Sequence, residues 1–346
     1  MVIRLTKIIL VTLLLVSCVS NKTSSDVVCH ELESYQVIGT YDVEELGTII
    51  DVSLFQEYLI VNSINTDTYF HVIDSNTGEI VTDFGFEGRG PAEFINVGRQ
   101  ISICDSLLYI SDNGQKKLYA ININSALRSE PAISWSMDYP YTRDFRPNKF
   151  MVMNDKTICL GAIKDFRFGV LNNTTGQIES HDIHYMPVEE GVEDIYIGSV
   201  YQSLFRANPQ ADTFVISLLA SDYFEIYNIS DNKVQCLFTS ADSQIPQLHV
   251  KPRMGTKYAI DYDRSIAGNI DLTVNAERIF FLYSEEPYSK YAAMEETDNV
   301  RVYDWKGNHI ENYKLPIPVS KIVATKDGLL GFKDIEDKIV ICCFDI

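Results

Sequence analysis

Apolar residues in this chain gather into short runs, each opened by a polar turn, and the runs recur along its whole length. Six copies start at residues 57, 106, 156, 212, 278 and 328, spaced 49, 50, 56, 66 and 50 residues apart. Behind each of the first five lies a second apolar segment ending in Asp or Asn: Asp74, Asn122, Asn172, Asn228 and Asp304. Gly78, Gly176 and Gly307 follow three of these within four residues, which is hairpin chemistry: a side chain that bonds its own turn, then a residue tolerant of positive φ. A further strand-like segment opens most units, as at residues 47–54, 97–103, 150–153, 270–274 and 319–324. Three or four strands per unit, with few helical periods, predict a propeller blade. One blade cannot bury both its faces, so a closed ring of six is the stable arrangement.

The ends of the pattern predict how the ring closes. Past the sixth copy only residues 338–346 remain, enough for one more strand. Residues 27–41 are expected to supply the missing outer strand by pairing with them. The fold class is therefore all-β, a six-bladed β-propeller over residues 27–346 closed by N- and C-terminal strands. Such closure places Cys29 beside Cys342 or Cys343, a pairing open to a disulfide. Cys104, Cys159 and Cys342 sit inside apolar runs and read as buried small hydrophobes.

The first 26 residues have a different pattern. Arg4 and Lys7 precede the run at residues 8–16, and Leu15-Val16-Ser17-Cys18 ends it. A charged start, a short apolar stretch and small residues before a cysteine form a bacterial signal of the lipoprotein type, residues 1–17, cleaved before Cys18. Nine residues cannot span a bilayer, which takes about 20 as a helix. Lipid on Cys18 would anchor the chain through a small, polar tether at residues 18–26. Val19 in place of Asp points to an outer-membrane lipoprotein, on the periplasmic or the surface side.

Charge narrows the partners. The chain carries −19, and loss of Arg4 and Lys7 with the signal makes it −21. Nucleic acid is excluded as a partner, because so acidic a surface repels phosphate. The 20 Tyr and 17 Phe favour strands. A monomer is expected.

The segment Phe84-Gly-Phe-Glu-Gly-Arg-Gly-Pro-Ala-Glu-Phe94 and, in the fifth unit, Val300-Arg-Val-Tyr-Asp-Trp-Lys-Gly307 resemble hallmarks of TolB-like six-bladed β-propeller lipoproteins of Gram-negative bacteria. The resemblance covers nearly the whole mature chain, with Ala92 where glycine is usual. It implies the same fold as the repeats and leaves activity undefined.

No spacing identifies a catalytic centre, a metal site or a cofactor. Gly88-x-Gly90 runs into Glu93 where a dinucleotide loop needs its third glycine, so a tight structural connection is expected, with Arg89 and Glu93 paired or bonding carbonyls. His181-x-x-His184 has ligand-like spacing, but Pro187 and the acidic residues around it predict a solvated loop. Candidate ligand contacts are Arg89, Arg99, Arg146, Arg167, Arg206 and Tyr283, placed by the repeats near strand ends where propeller pockets open. Guanidinium groups clustered in an acidic chain would bind carboxylates. The unit from Gln244 to Asn299 is the longest, rich in Tyr and basic residues, with a short helix expected at residues 290–296, and could cover such a pocket as a lid.

These features predict a non-enzymatic, lipid-anchored envelope module that binds a protein, peptide or saccharide. The alternatives are a metal-dependent hydrolase or lactonase with an axial divalent ion, and a purely structural scaffold. Converging carboxylate and amide oxygens on the axis would favour the hydrolase.

Overall fold

The computed structural model describes residues 27–346 apart from 91, 186–196, 199–200, 231–232, 241–242, 244, 247, 251–257 and 292–294. The signal and tether therefore lie outside the described residues. Six antiparallel blades follow the repeats, each with strands a to d counted from the axis outward. Blade one is Thr48–Phe55, Tyr58–Ile64, Thr68–Asp74 and Ile80–Phe86; blade two is Ser102–Cys104, Leu107–Asp112, Lys117–Asn122 and Ile133–Asp138. Blade three is Phe145–Met153, Lys156–Ile163, Gly169–Asn172 and Ile178–Glu179; blade four is Ser203–Ala207, Thr213–Leu218, Phe224–Ser230 and Lys233–Thr239. Blade five is Ile266–Val274, Arg278–Pro287, Thr297–Asp304 and His309–Val319. Blade six takes Lys321–Ala324, Gly328–Ile335 and Lys338–Asp345 from the C-terminus and Gln36–Asp42 from the N-terminus.

Consecutive side chains on a strand point to opposite faces, and here both faces are buried. Ile60 enters the seam between blades one and two, with Phe70 and Leu108, whereas Leu59 and Val61 enter the seam between blades six and one, with Phe332 and Ile341. In blade four, Phe214 and Ile216 pack towards blade three while Val215 and Ile226 pack towards blade five. Two further seams, blades two to three and five to six, complete the ring. Each buried Leu, Ile, Val or Phe contributes about 1.5–3 kcal/mol. The ring is held by six such seams, with no single central core. Its centre is left for polar groups.

The recurring Asp and Asn signal has a direct cause. Asp74 accepts the N–H groups of Asn76 (2.8 Å) and Thr77 (3.2 Å), and Asn172 accepts those of Thr174 and Thr175 (3.0 Å each). Asp304 accepts from Lys306 (2.9 Å) and Asn308 (2.8 Å) before Gly307 at φ +81°. In the glycine-rich connection, the Glu93 carboxylate accepts the Gly90 N–H at 2.6 Å, and Phe94 is buried edge-on against Tyr119. Arg89 is exposed and makes no ion pair with Glu93, which corrects that expectation. Ala92 adopts φ +59°, the left-handed region that glycine enters without cost.

Closure is borne out in part and corrected in part. Gln36–Asp42 pairs antiparallel with Lys338–Asp345, Val37 opposite Cys342 and Gln36 opposite Cys343. The preceding Val28–Glu31 departs from the expectation. It runs parallel to the outer strand of blade five, Cys29 opposite Asn312, as a fifth strand of that sheet. Cys29 is thus one blade away from Cys342, and all the described cysteines are free. Cys159 and Cys342 are buried as expected, while Cys104 is half-buried.

The long fifth unit also resolves differently. Its extra length splits between the connection from blade four, which carries the small hairpin Leu248–Val250 and Tyr258–Ile260, and the turn joining strands b and c of blade five. The short helix falls at Tyr288–Tyr291, earlier than expected, and Glu295 stands at φ +53° outside any helix.

Candidate functional site

One polar residue on each inner strand, or just ahead of it in blade two, recurs with the blades. Asp51, Gln100, Lys149, Arg206, Asp271 and Lys321 recur at spacings of 49, 49, 57, 65 and 50 residues, nearly the period of the blades themselves. Several staple one blade to the next. Asp51 accepts the Ile101 N–H at 2.9 Å, Asp271 that of Ile322 at 2.8 Å, and Thr273 that of Ala324 at 2.9 Å. Lys149 Nζ donates to the Ser203 carbonyl at 2.8 Å.

Two contacts cross the axis. Arg206 of blade four reaches Asp51 of blade one, on the opposite side of the ring, as a buried ion pair. Gln100 of blade two donates to the Phe205 carbonyl of blade four at 2.6 Å. Together they bar the channel and divide it. One mouth opens on the face of the a–b and c–d turns and holds about 620 Å³, ringed by all six blades. The opposite mouth, on the face of the b–c and d–a connections, holds two compartments. One is a polar cavity of about 590 Å³ lined by Arg99, Lys149, Asn62, Asn113, Asn148 and Gln202. The other is a smaller cavity of about 410 Å³ beside Lys321. The two adjoin at the inner strand of blade one, where Thr48 and Ile49 line the smaller cavity and Ile50 the polar one.

The polar compartment of this upper mouth runs against the acidity of the chain as a whole, with two cations and no carboxylate among its described lining residues. Arg99 and Lys149 line that compartment, Lys321 lies in the neighbouring cavity with Glu295, Asp334 and Glu336, and Asp51, Asp271 and Arg206 stand on the axis close enough to act on them. Asp51 is consumed by Arg206. Burial pushes the Asp271 carboxyl up, and the Lys321 and Arg206 cations pull it back. Burial brings the Lys149 ammonium down to about 8; Asp51 opposes this, while Lys321, Arg206 and Arg99 add to it. Arg99 is exposed and has no ion-pair partner among the described residues. Net charge of −19 acts from a distance and is screened within about 8 Å at physiological salt. A carboxylate about 4 Å from one of these cations gains roughly 4 kcal/mol at an effective dielectric constant of 20. The local term decides.

The six expected contacts separate. Arg99 and Arg206 reach the axis. Arg167 does not, since it is buried between blades three and four, its Nε 2.9 Å from Glu225 and its Nη2 3.1 Å from Ser203 Oγ. Arg146 is exposed near the start of the inner strand of blade three, opposite Ala162, and Arg89 is exposed in its loop. Tyr283 is buried in blade five with the Arg301 guanidinium 3.4 Å from its ring centre, beside an acidic cleft off the axis. The histidines serve packing: His181 Nε2 lies 2.8 Å from the Phe168 carbonyl and His184 Nδ1 2.7 Å from that of Asp165, both rings against Phe166. Sequence reasoning missed Asp51, Lys149, Asp271 and Lys321. A lone polar residue recurring with the blade period was the signal that could have found them.

The family described as TolB-like 6-blade propeller-like matches residues 46–327. No curated protein sequence matches the chain. Among solved structures, a member of the DUF4221 family from Bacteroides vulgatus is similar at TM-score 0.55 and 12% identity, over 90% of this chain and 98% of that one. A Bacteroides fragilis protein described as exported is similar at TM-score 0.56 and 13% identity, over 92% and 99%. At these identities the likeness speaks to fold alone. The ring of six blades, its glycine-rich first connection and the family match agree, and the chain belongs to the TolB-like six-bladed propeller family.

Proposed function

We propose that this protein is a lipid-anchored propeller of the cell envelope that holds the anionic end of a peptide, protein or saccharide in its upper axial mouth, without catalysing a reaction on it. The reading rests on the polar compartment of that mouth, whose described lining holds two cations, Arg99 and Lys149, and a set of side-chain amides but no carboxylate, with Arg99 unpaired among the described residues. A divalent ion would need carboxylates free to coordinate it, and both axial ones already hold backbone N–H groups and face cations. That weighs against the metal-dependent hydrolase. The bar of Arg206, Asp51 and Gln100 makes the mouth a blind pocket, suited to holding a chain end.

Binding should depend on both cations and on pH. With trigalacturonate or a pool of peptides bearing free carboxyl ends, the Arg99→Ala/Lys149→Met double variant is expected to lose at least about tenfold in affinity, or 1.4 kcal/mol, while still unfolding in one cooperative transition, lowered only by the loss of the Lys149 bond to the Ser203 carbonyl. Lys149 is charged below about 8 and neutral above it, so wild-type affinity should fall as pH rises from 7 to 9. The variant should lack that fall. Equal affinity of the two proteins at pH 7 would end the proposal.

The signal pattern at Cys18 and the exported relative in Bacteroides fragilis support an envelope location. Val28 stands opposite Glu311, near the start of the outer strand of blade five, so the tether joins on the side of the c–d turns. An anchor there leaves the upper mouth facing away from the membrane. Cys18→Ala is expected to release the protein from membrane fractions or leave an unprocessed precursor. A correctly processed variant that still partitions into detergent would contradict the anchor.

A further inference from the structure

Resting on the site just proposed, we infer that its ligand is the carboxyl end of a peptide whose last residue is apolar. Two features of the upper mouth lead there. The first is the chemistry of the polar compartment. Its amides come from Asn62, Asn113, Asn148 and Gln202, each able to donate and accept, as a peptide backbone requires. None of the described residues lining it is aromatic. Sugar rings are held largely by stacking their C–H faces on aromatic rings, so the compartment lacks what a saccharide would use.

The second feature is the neighbouring cavity of about 410 Å³. Ile49, Leu219, Ala267, Ile270 and Ile339 form its walls with Tyr288 from the b–c turn of blade five, and Lys321 and Asn269 lie among them. It shares the inner strand of blade one with the polar compartment, and Lys321 is close enough to Lys149 to lower its pKa. A terminal carboxylate on Arg99 and Lys149 therefore places the last side chain beside this apolar space. Burying a Leu there contributes about 1.5–3 kcal/mol. Asp334, Glu295 and Glu336 border the same cavity, and burial with Glu296 and Glu295 nearby pushes the Asp334 carboxyl up. Those carboxylates repel an acidic last residue, so selection works by repulsion as well as by burial.

Fluorescence anisotropy with fluorescein-labelled octapeptides, identical except at their ends, tests this. The peptide ending in Leu with a free carboxyl is expected to bind at least about tenfold more tightly than its amide, than the version ending in Asp, and than trigalacturonate. Leu219→Gln and, separately, Tyr288→Ser should shrink the preference for Leu over Asp to what repulsion by the remaining carboxylates gives, while keeping the preference for carboxylate over amide. If carboxylate is required but Leu and Asp bind equally, or trigalacturonate binds more tightly, this inference is overturned and the anion site stands. If no carboxylate-bearing probe binds, the site itself is overturned.

Discussion

Deleting Gln36–Asp42 is expected to cost more than about 5 kcal/mol of stability, against almost nothing for deleting residues 19–25. The strand supplies six paired positions to blade six, each bond worth about 1 kcal/mol net. It also buries Tyr41, whose hydroxyl reaches the Gly78 carbonyl at 2.5 Å, and covers the edge beside Ile339 and Ile341. Without it the last blade is three-stranded and the seam with blade one opens. At a few degrees per kcal/mol, the melting temperature should drop by roughly 10 °C or more. Removing only Val28–Glu31, four exposed residues, should cost far less. Thermal scans of the three deletions decide it, and equal losses from all three would show that the N-terminal strand does not close the ring.

The second large effect is expected at the bar across the axis. Arg206→Met leaves Asp51, 7% exposed at its side chain, without its cation. Breaking a buried pair by removing one partner costs about 3–5 kcal/mol, and the lower end applies because Asp51 keeps the Ile101 and Val52 N–H groups. Asp51→Asn/Arg206→Met should be more stable than Arg206→Met alone, since neutral Asn still accepts from Ile101 and needs no cation. Denaturant unfolding of the two single variants and the double variant measures the coupling. Strict additivity would mean that the pair does not bar the channel.

The blades were legible because their determinants are local. Alternating apolar positions and Asp or Asn turns are fixed within a few residues, so the six units, the hairpins and the C-terminal half of blade six follow from the chain itself. The strap at Val28–Glu31 was not legible: all four residues are exposed, and parallel pairing on blade five leaves no apolar alternation to read. The candidate site divides the same way. Arginine was sought because the chain is acidic, but residue type does not say where a side chain points. Arg167 ends against Glu225, 58 residues away in sequence and on another blade, and nothing local announces that partner. Arg206 and Asp51 are 155 residues apart. Lys149 and Lys321 were passed over because each lies at or inside an apolar strand, where one charge reads as an interruption. Only their recurrence with the blade period marks them as axial.

A crystal structure with the octapeptide ending in Leu would show where its carboxylate sits. The carboxylate is expected in the upper mouth, within hydrogen-bonding distance of Arg99 and Lys149, above an intact Asp51–Arg206 pair. Peptide found instead in the lower cavity, or lying along the outer strand of a blade with the upper mouth unchanged, would contradict that placement.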